Sequence, residues 1–230
     1  MLALENVVIR LDDFGLRADL AVPPQARVAV MGPSGAGKST LLGAIGGFVL
    51  LSGGRIAFDG QDITTLHPAA RPVATIFQDN NLFPHLTVAR NVALGITHRR
   101  PDTATRARVA DALMQVGLDG FGDRLPGSLS GGQQGRAALA RALVRDKPLW
   151  LLDEPFAALG PGLRARMIAL VDAVAARAGA TVLMVTHDPT DAAALGGEIV
   201  VVANGMAAAP RPAARLLADP PPALAAYLRR

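Results

Sequence analysis

The chain has 230 residues, half of them hydrophobic, a formal charge of +4 and no cysteine. That length builds one sizeable core with room for a smaller inserted lobe, and the missing cysteines exclude disulfides, thiolate metal sites and cysteine nucleophiles. MLALENVVIRL has no basic region followed by an apolar core, and glycines 43, 46 and 47 break the richest apolar stretch well short of the ~18 residues of a membrane span, so a soluble chain without a signal peptide is expected.

In chain order, Leu4–Leu11 and Leu16–Val22 read as a meander at a sheet edge. Strand patterns follow at Arg27–Met31, Arg55–Phe58, Val73–Phe77, Leu149–Asp153, Thr181–Thr186 and Ile199–Val202. Helical patterns alternate with them at Ser39–Phe48, Arg106–Val116, Gln133–Val144 and Pro161–Arg177. Alternation of this kind implies an α/β fold with a mainly parallel sheet covered by helices and an antiparallel edge sheet. Residues 87–129 are helix-rich and strand-poor, as in an inserted helical lobe. The Ala/Pro-biased tail, 207–230, is expected to pack loosely. Only Lys38 and Lys147 among the 23 basic residues are lysines, and the arginines are spread along helical segments. So diffuse a footprint argues against a nucleic-acid partner.

The stretch Gly32-Pro33-Ser34-Gly35-Ala36-Gly37-Lys38-Ser39-Thr40 matches G-x-x-x-x-G-K-[ST] between a strand and a helix. Its glycines let successive N–H groups converge on phosphate oxygens, Lys38 reaches the β- and γ-phosphates, and Ser39 offers a hydroxyl to Mg²⁺. A hydrophobic strand, LWLLDEP, then delivers Asp153 and Glu154 to the ligand crevice, where Asp153 holds Mg²⁺ and Glu154 polarises an attacking water. Gln78 and His187 end two further strands on the same side. Both are candidates for the γ-phosphate end of the site, with Gln78 also a metal ligand. A second Gly-rich turn, Ser130-Gly131-Gly132-Gln133, opens a helix with no lysine of its own, and helix N-termini favour anions.

A phosphate loop, a glutamine, LSGGQ, a strand ending in DE and a histidine, in this order, resemble the nucleotide-binding subunit of an ABC transporter over nearly the whole chain. The resemblance implies a P-loop NTPase core, one nucleotide-binding domain spanning 1–230, and hydrolysis of ATP with Mg²⁺. It implies head-to-tail pairing with a second copy, each LSGGQ turn closing over the ATP held by the other. It also implies integral membrane permease subunits, a periplasmic or extracellular solute-binding protein, and peripheral attachment at the cytoplasmic face of a bacterial inner membrane. A groove near Gln78 would meet the permease, with Leu82, Phe83 and Leu86 either lining it or packing the lobe. ARPVATIFQDNNLFPHLTVARNVALG, with LPGSLSGGQ and the short C-terminal stretch, is similar to the ATPase subunits of bacterial thiamine importers; importers of polyamines, sulfate, iron and sugars share much of it. Nucleic-acid ATPases of the same superfamily carry long coiled coils or two ATPase domains, and neither heptads nor duplication is present. Kinases and small GTPases share the phosphate loop but have no use for LSGGQ.

Three positions depart from the family pattern. AALG puts Gly160 where an aspartate usually meets the partner subunit, which implies weaker communication between the two sites or slower hydrolysis. Gly135 stands inside the helix after LSGGQ, at a cost of the order of 1 kcal/mol relative to alanine. Leu11 occupies the place of the aromatic residue that stacks on adenine, with Phe14 nearby.

Overall fold

The computed structural model describes residues 1–77, 79, 81–157, 159–222 and 224–225. In β3 (Arg27–Met31), Val28 and Val30 pack into one apolar cluster while Ala29 and Met31 pack into another on the opposite face. The same alternation holds in β7 (Leu149–Asp153) and β8 (Thr181–Val185). There Leu149, Leu151, Leu183 and Val185 enter the first cluster, and Trp150, Leu152, Val182 and Met184 the second. Strands buried on both faces read as continuous aliphatic runs, which is why VAVM, LWLL and VLMV show no polar alternation.

With β6 (Val73–Ile76) and β9 (Glu198–Ala203) these strands form a parallel set in the order β9-β3-β8-β7-β6. Beside it, β1 (Leu2–Leu11), β2 (Phe14–Val22), β4 (Gly53–Phe58) and β5 (Gln61–Asp62) make an antiparallel ladder, β5-β4-β1-β2. The two-residue β10 (Met206–Ala207) joins the halves, parallel to β2 and antiparallel to β9. Helix α1 (Lys38–Gly46) is held between the halves, where Leu41, Leu42 and Ile45 share a cluster with Leu4 and Ile9 of the ladder and Leu149 and Leu151 of the parallel set. Buried Arg71 secures its far end, with Nη1 donating to the carbonyls of Ala44 and Ile45 at 2.7 and 2.8 Å. This is the expected α/β architecture with an antiparallel edge.

The remaining helices cover the other face. They are α2 (Val88–Ala93), α3 (Thr103–Gln115), α4 (Gly131–Leu143), α5 (Pro161–Arg177), α6 (Pro189–Leu195) and α7 (Ala213–Ala218). Helix starts fall earlier than apolar periodicity suggests because caps set them: Asp102 accepts from the Thr105 N–H and starts α3, and Ser130 starts α4. Over 87–129 the described residues contain helices and turns and no strand.

The stretch after 207 is not loose over its described part. β11 (Arg211–Pro212) pairs with β9, and Ala213, Leu216 and Leu224 are buried. The Ala/Pro composition masks a short apolar face at helical spacing.

Buried Asn91 in α2 fastens the segment that precedes it. Its Oδ1 accepts from the Phe83 N–H at 2.7 Å, and its Nδ2 donates to the carbonyls of Phe83, Leu86 and Thr87 at 3.0, 3.0 and 3.1 Å. Replacing Asn91 with Ala leaves the Phe83 N–H and three carbonyls without these partners, so chemical denaturation should show a loss of about 2–3 kcal/mol.

Candidate functional site

The C-terminal ends of the parallel strands all face one crevice. From β3 the chain turns through residues 32–37 into α1. The turn depends on glycine at two closely packed places. A Cβ on Gly32 would lie 1.9 Å from the Val202 carbonyl oxygen, and one on Gly37 (φ 99°) would lie 2.4 Å from Cζ of Phe14. Nothing lies within 4 Å of a Cβ built on Gly35 (φ 76°), so the loop crest is open to an incoming group.

Lys38 is the first residue of α1 and only 8% exposed. Its Nζ donates to the carbonyls of Gly32 and Pro33, both at 2.9 Å, which folds the loop around the ammonium. Burial lowers its pKa, against the opposing charges of Glu154 and Asp153. An ammonium has three donors, so two loop carbonyls leave one for a phosphate oxygen. Arginine's planar fork would not fit so compact a cradle.

Ser39 Oγ donates to Asp153 Oδ1 at 3.0 Å, bringing two hard oxygens together beside the loop. Among the described residues no three His, Cys, Asp or Glu side chains group as a metal site. This donor set fits Mg²⁺, which takes one or two protein oxygens and completes its shell with phosphate and water. Burial raises the Asp153 pKa, partly offset by the Ser39 hydrogen bond.

Glu154 follows in a left-handed conformation, φ 43°. Such a backbone costs roughly 1–2 kcal/mol outside glycine, and here it turns the chain sharply away from the strand end. His187, after β8, brings Nδ1 to 3.4 Å from Glu154 Oε2, a distance that makes an ion pair when the ring is protonated. Gln78 lies outside the described residues.

A cleft of about 330 Å³ is bordered by Leu11 and Phe14, the phosphate loop and Glu154. Leu11 and Phe14 face each other as the last cross-strand pair of the β1–β2 hairpin, so both residues left open as the base platform reach the cleft.

The residues bordering this cleft do not include Ser130–Gln133. Ser130 is the N-cap of α4 in a capping box: its Oγ accepts from the Gln133 N–H, and the Gln133 side chain accepts from the Ser130 N–H at 2.9 Å. Ser130 and Gly131 are exposed, while a Cβ on Gly132 would meet Leu163 Cδ2 at 2.7 Å. Gly135 is buried within α4. Gly160 caps α5 with no side-chain bond, and nothing lies within 4 Å of a Cβ built there.

A separate groove of about 500 Å³ runs between the parallel set and the helices, with Phe48, Phe77, Leu94, His67 and His98 on its walls. Phe48 and Phe77 meet edge-on at 5.4 Å, and Phe48 is 55% exposed. Leu82, Phe83 and Leu86 do not border it; Leu82 packs on the core and Phe83 is exposed elsewhere. Phe48 escaped the sequence reading because an aromatic residue after a glycine pair carries no local mark of function.

A phosphate loop beside an acidic strand end, with a histidine against its glutamate, defines a P-loop ATPase. The ABC transporter family matches residues 17–157, and the chain belongs to it. A protein of Cereibacter sphaeroides, called thiamine import ATP-binding protein ThiQ, is 58% identical over 99% of both chains. One of the same name from Ruegeria sp. is 50% identical, again over 99% of both. Among solved structures, the ADP conformation of MJ1267, an ATP-binding cassette of an ABC transporter, superimposes with a TM-score of 0.87 at 26% identity, covering 100% of this chain and 99% of that one. The dimeric post-hydrolysis state of the cassette MJ0796 with ADP and Pi gives 0.79 at 29% identity, covering 93% and 99%. The family binds and hydrolyses ATP.

At neutral pH the half-buried Asp153 carboxylate costs the nucleotide-free protein stability. Its folded-state pKa lies above the unfolded value, so its stabilising contribution is complete below the unfolded pKa and is lost as pH rises through the folded one. Asp153→Asn keeps an acceptor for Ser39 and removes the charge. Thermal melts without nucleotide or Mg²⁺ should therefore give the variant a higher Tm at pH 7, with the gap closing as pH falls into the carboxylate range.

Proposed function

We infer that this chain is the ATP-hydrolysing subunit of an importer for thiamine or a closely related solute. Residues 1–230 act as one nucleotide-binding domain with 87–129 as its helical lobe. It works as a head-to-tail pair at the cytoplasmic face of a bacterial inner membrane, against permease subunits supplied by a solute-binding protein. No helix among the described residues is long and apolar enough to cross a membrane, in keeping with peripheral attachment. The name and full-length similarity of the ThiQ relatives support the solute.

The observation that carries the pairing is the separation of the two anion-facing devices. The loop with Lys38 has a cleft of its own, and Ser130 and Gly131 open α4 toward solvent without bordering it. A second copy supplies the phosphate that this turn lacks, and each ATP is then gripped from both sides. The γ-phosphate favours the closed pair only through its contacts with both halves, so hydrolysis releases them.

In the closed pair, loop N–H groups and Lys38 hold the phosphates, and Ser130, Gly131 and Gly132 of the second copy meet the γ-phosphate. Ser39 and Asp153, together with Gln78, would hold Mg²⁺, which would neutralise charge on the phosphate oxygens. Glu154 accepts a proton from the water that attacks the γ-phosphorus. The bond to that water oxygen forms as the bond to the β-phosphate oxygen breaks, giving ADP and phosphate. His187 stands beside Glu154 and the departing group. Leu11 and Phe14 give the base an apolar wall. The groove with Phe48 and Phe77 is the surface we assign to the permease.

Sedimentation of Glu154→Gln protein tests the pairing. With Mg-ATP it should run as a dimer, without nucleotide as a monomer, and adding Ser130→Phe should abolish the dimer; a monomer that binds ATP throughout would count against the shared site. Gly160→Asp tests the departure from the family pattern. The position has room for the side chain, and steady-state phosphate release should rise by about fivefold, within the usual range of inter-site coupling.

A further inference from the structure

Arg164 lies in the first turns of α5, with only 14% of its side chain exposed. Nη1 donates to Asp188 Oδ2 at 2.9 Å and stands 3.8 Å from Asp191 Oδ2, while Nη2 donates to the Leu159 carbonyl at 3.2 Å. Each of these partners leads to the site. Asp188 follows His187 in the chain, and its N–H donates to Thr186 Oγ1 at 3.1 Å; the Thr186 hydroxyl in turn donates to Asp191 Oδ2 at 2.7 Å. Leu159 belongs to the segment that links Glu154 to α5, where the Leu159 N–H donates to the Phe156 carbonyl at 3.0 Å and the Ala157 N–H to the Glu154 carbonyl at 3.2 Å.

One guanidinium therefore touches the segment leaving Glu154 and the segment leaving His187. The packing of α5 does not require it, because Met167, Ile168, Val171 and Val174 already bury that helix against the core. Nor is it there as a complete hydrogen-bond hub: its Nε is buried with no acceptor among the described residues. A buried cation facing two carboxylates is a costly way to hold a helix, but its planar fork can fix two separate segments at once.

We propose that Arg164 is a positioning residue that holds His187 against Glu154 by clamping the two segments that carry them. The proposal rests on the roles assigned above to Glu154 and His187. Arg164 itself does not touch ATP; it sets the 3.4 Å approach of the two side chains that do the work. Rates depend steeply on such approaches, whereas nucleotide affinity is set by the phosphate loop.

ATPase kinetics of Arg164→Ala, Arg164→Lys and Asp188→Asn, beside Glu154→Gln, test it. Loss of the clamp should lower kcat by about tenfold or more while KM for ATP stays within about twofold. Arg164→Lys, which keeps the cation, should recover part of kcat. Asp188→Asn should reproduce the loss, and combining it with Arg164→Ala should add little, as expected of two partners in one contact. Should Arg164→Ala fail to fold, the isosteric Asp188→Asn reads the same clamp by the same split. Undiminished kcat in Arg164→Ala, with Glu154→Gln inactive, overturns the proposal and leaves the site standing. Full activity in Glu154→Gln overturns both. A parallel change in kcat and KM that lysine does not rescue marks general damage and also overturns the clamp.

Discussion

A parallel strand buried on both faces has nowhere to place a polar side chain except at its ends. In this protein β3, β7 and β8 meet that condition, with alternate residues entering two separate apolar clusters. The phosphate loop and the polar ends of the strands are thereby driven to the same edge, and the parallel direction makes it one edge for all strands. The phosphate loop, the Asp153–Glu154 pair and His187 are neighbours in space because the sheet excludes them from everywhere else. The α1 helix, fixed by apolar contacts on both sides and by Arg71 at its far end, then aims its N-terminus at that edge.

The site works against its own stability. Lys38 and Asp153 are partly stripped of water, and Glu154 holds a left-handed backbone. A surrounding structure that over-determines these positions allows the strain to persist. A nucleotide phosphate adds to the countercharge around the buried Lys38 and so offsets part of the cost of its burial. Binding then stabilises the folded state through the same contacts that prepare hydrolysis.

The site was legible wherever a motif coincides with a strand end. Spacing placed Lys38 and Ser39 at the start of a helix, and the aliphatic run before Asp153 marked a buried strand. The second Gly-rich turn was legible as the approach to a helix, but the capping box that starts that helix at Ser130 was not read from the sequence. Other features leave no local mark. Asn91 and Arg164 act through backbone carbonyls and carboxylates distant in sequence or hidden by packing, and nothing in VARNVA or PGLRAR singles them out. The short helices α2, α6 and α7 span too few turns for periodicity to stand out, and the proline-rich stretch after 207 conceals the residues it buries. A groove was expected near Gln78, but its walls were not legible, because Phe48 and Phe77 come from segments that only the fold brings together.

The two-residue strand β10 has a meaning for how the molecule is made. It links the antiparallel ladder to the parallel set, yet it comes late in the chain, after nearly every other strand. A ribosome releases the β1–β2 hairpin and the phosphate loop long before the seam that unites the two halves. Pairings this remote in sequence are slow to form. The early segments must wait for a closing stitch that follows nearly every other strand in the chain.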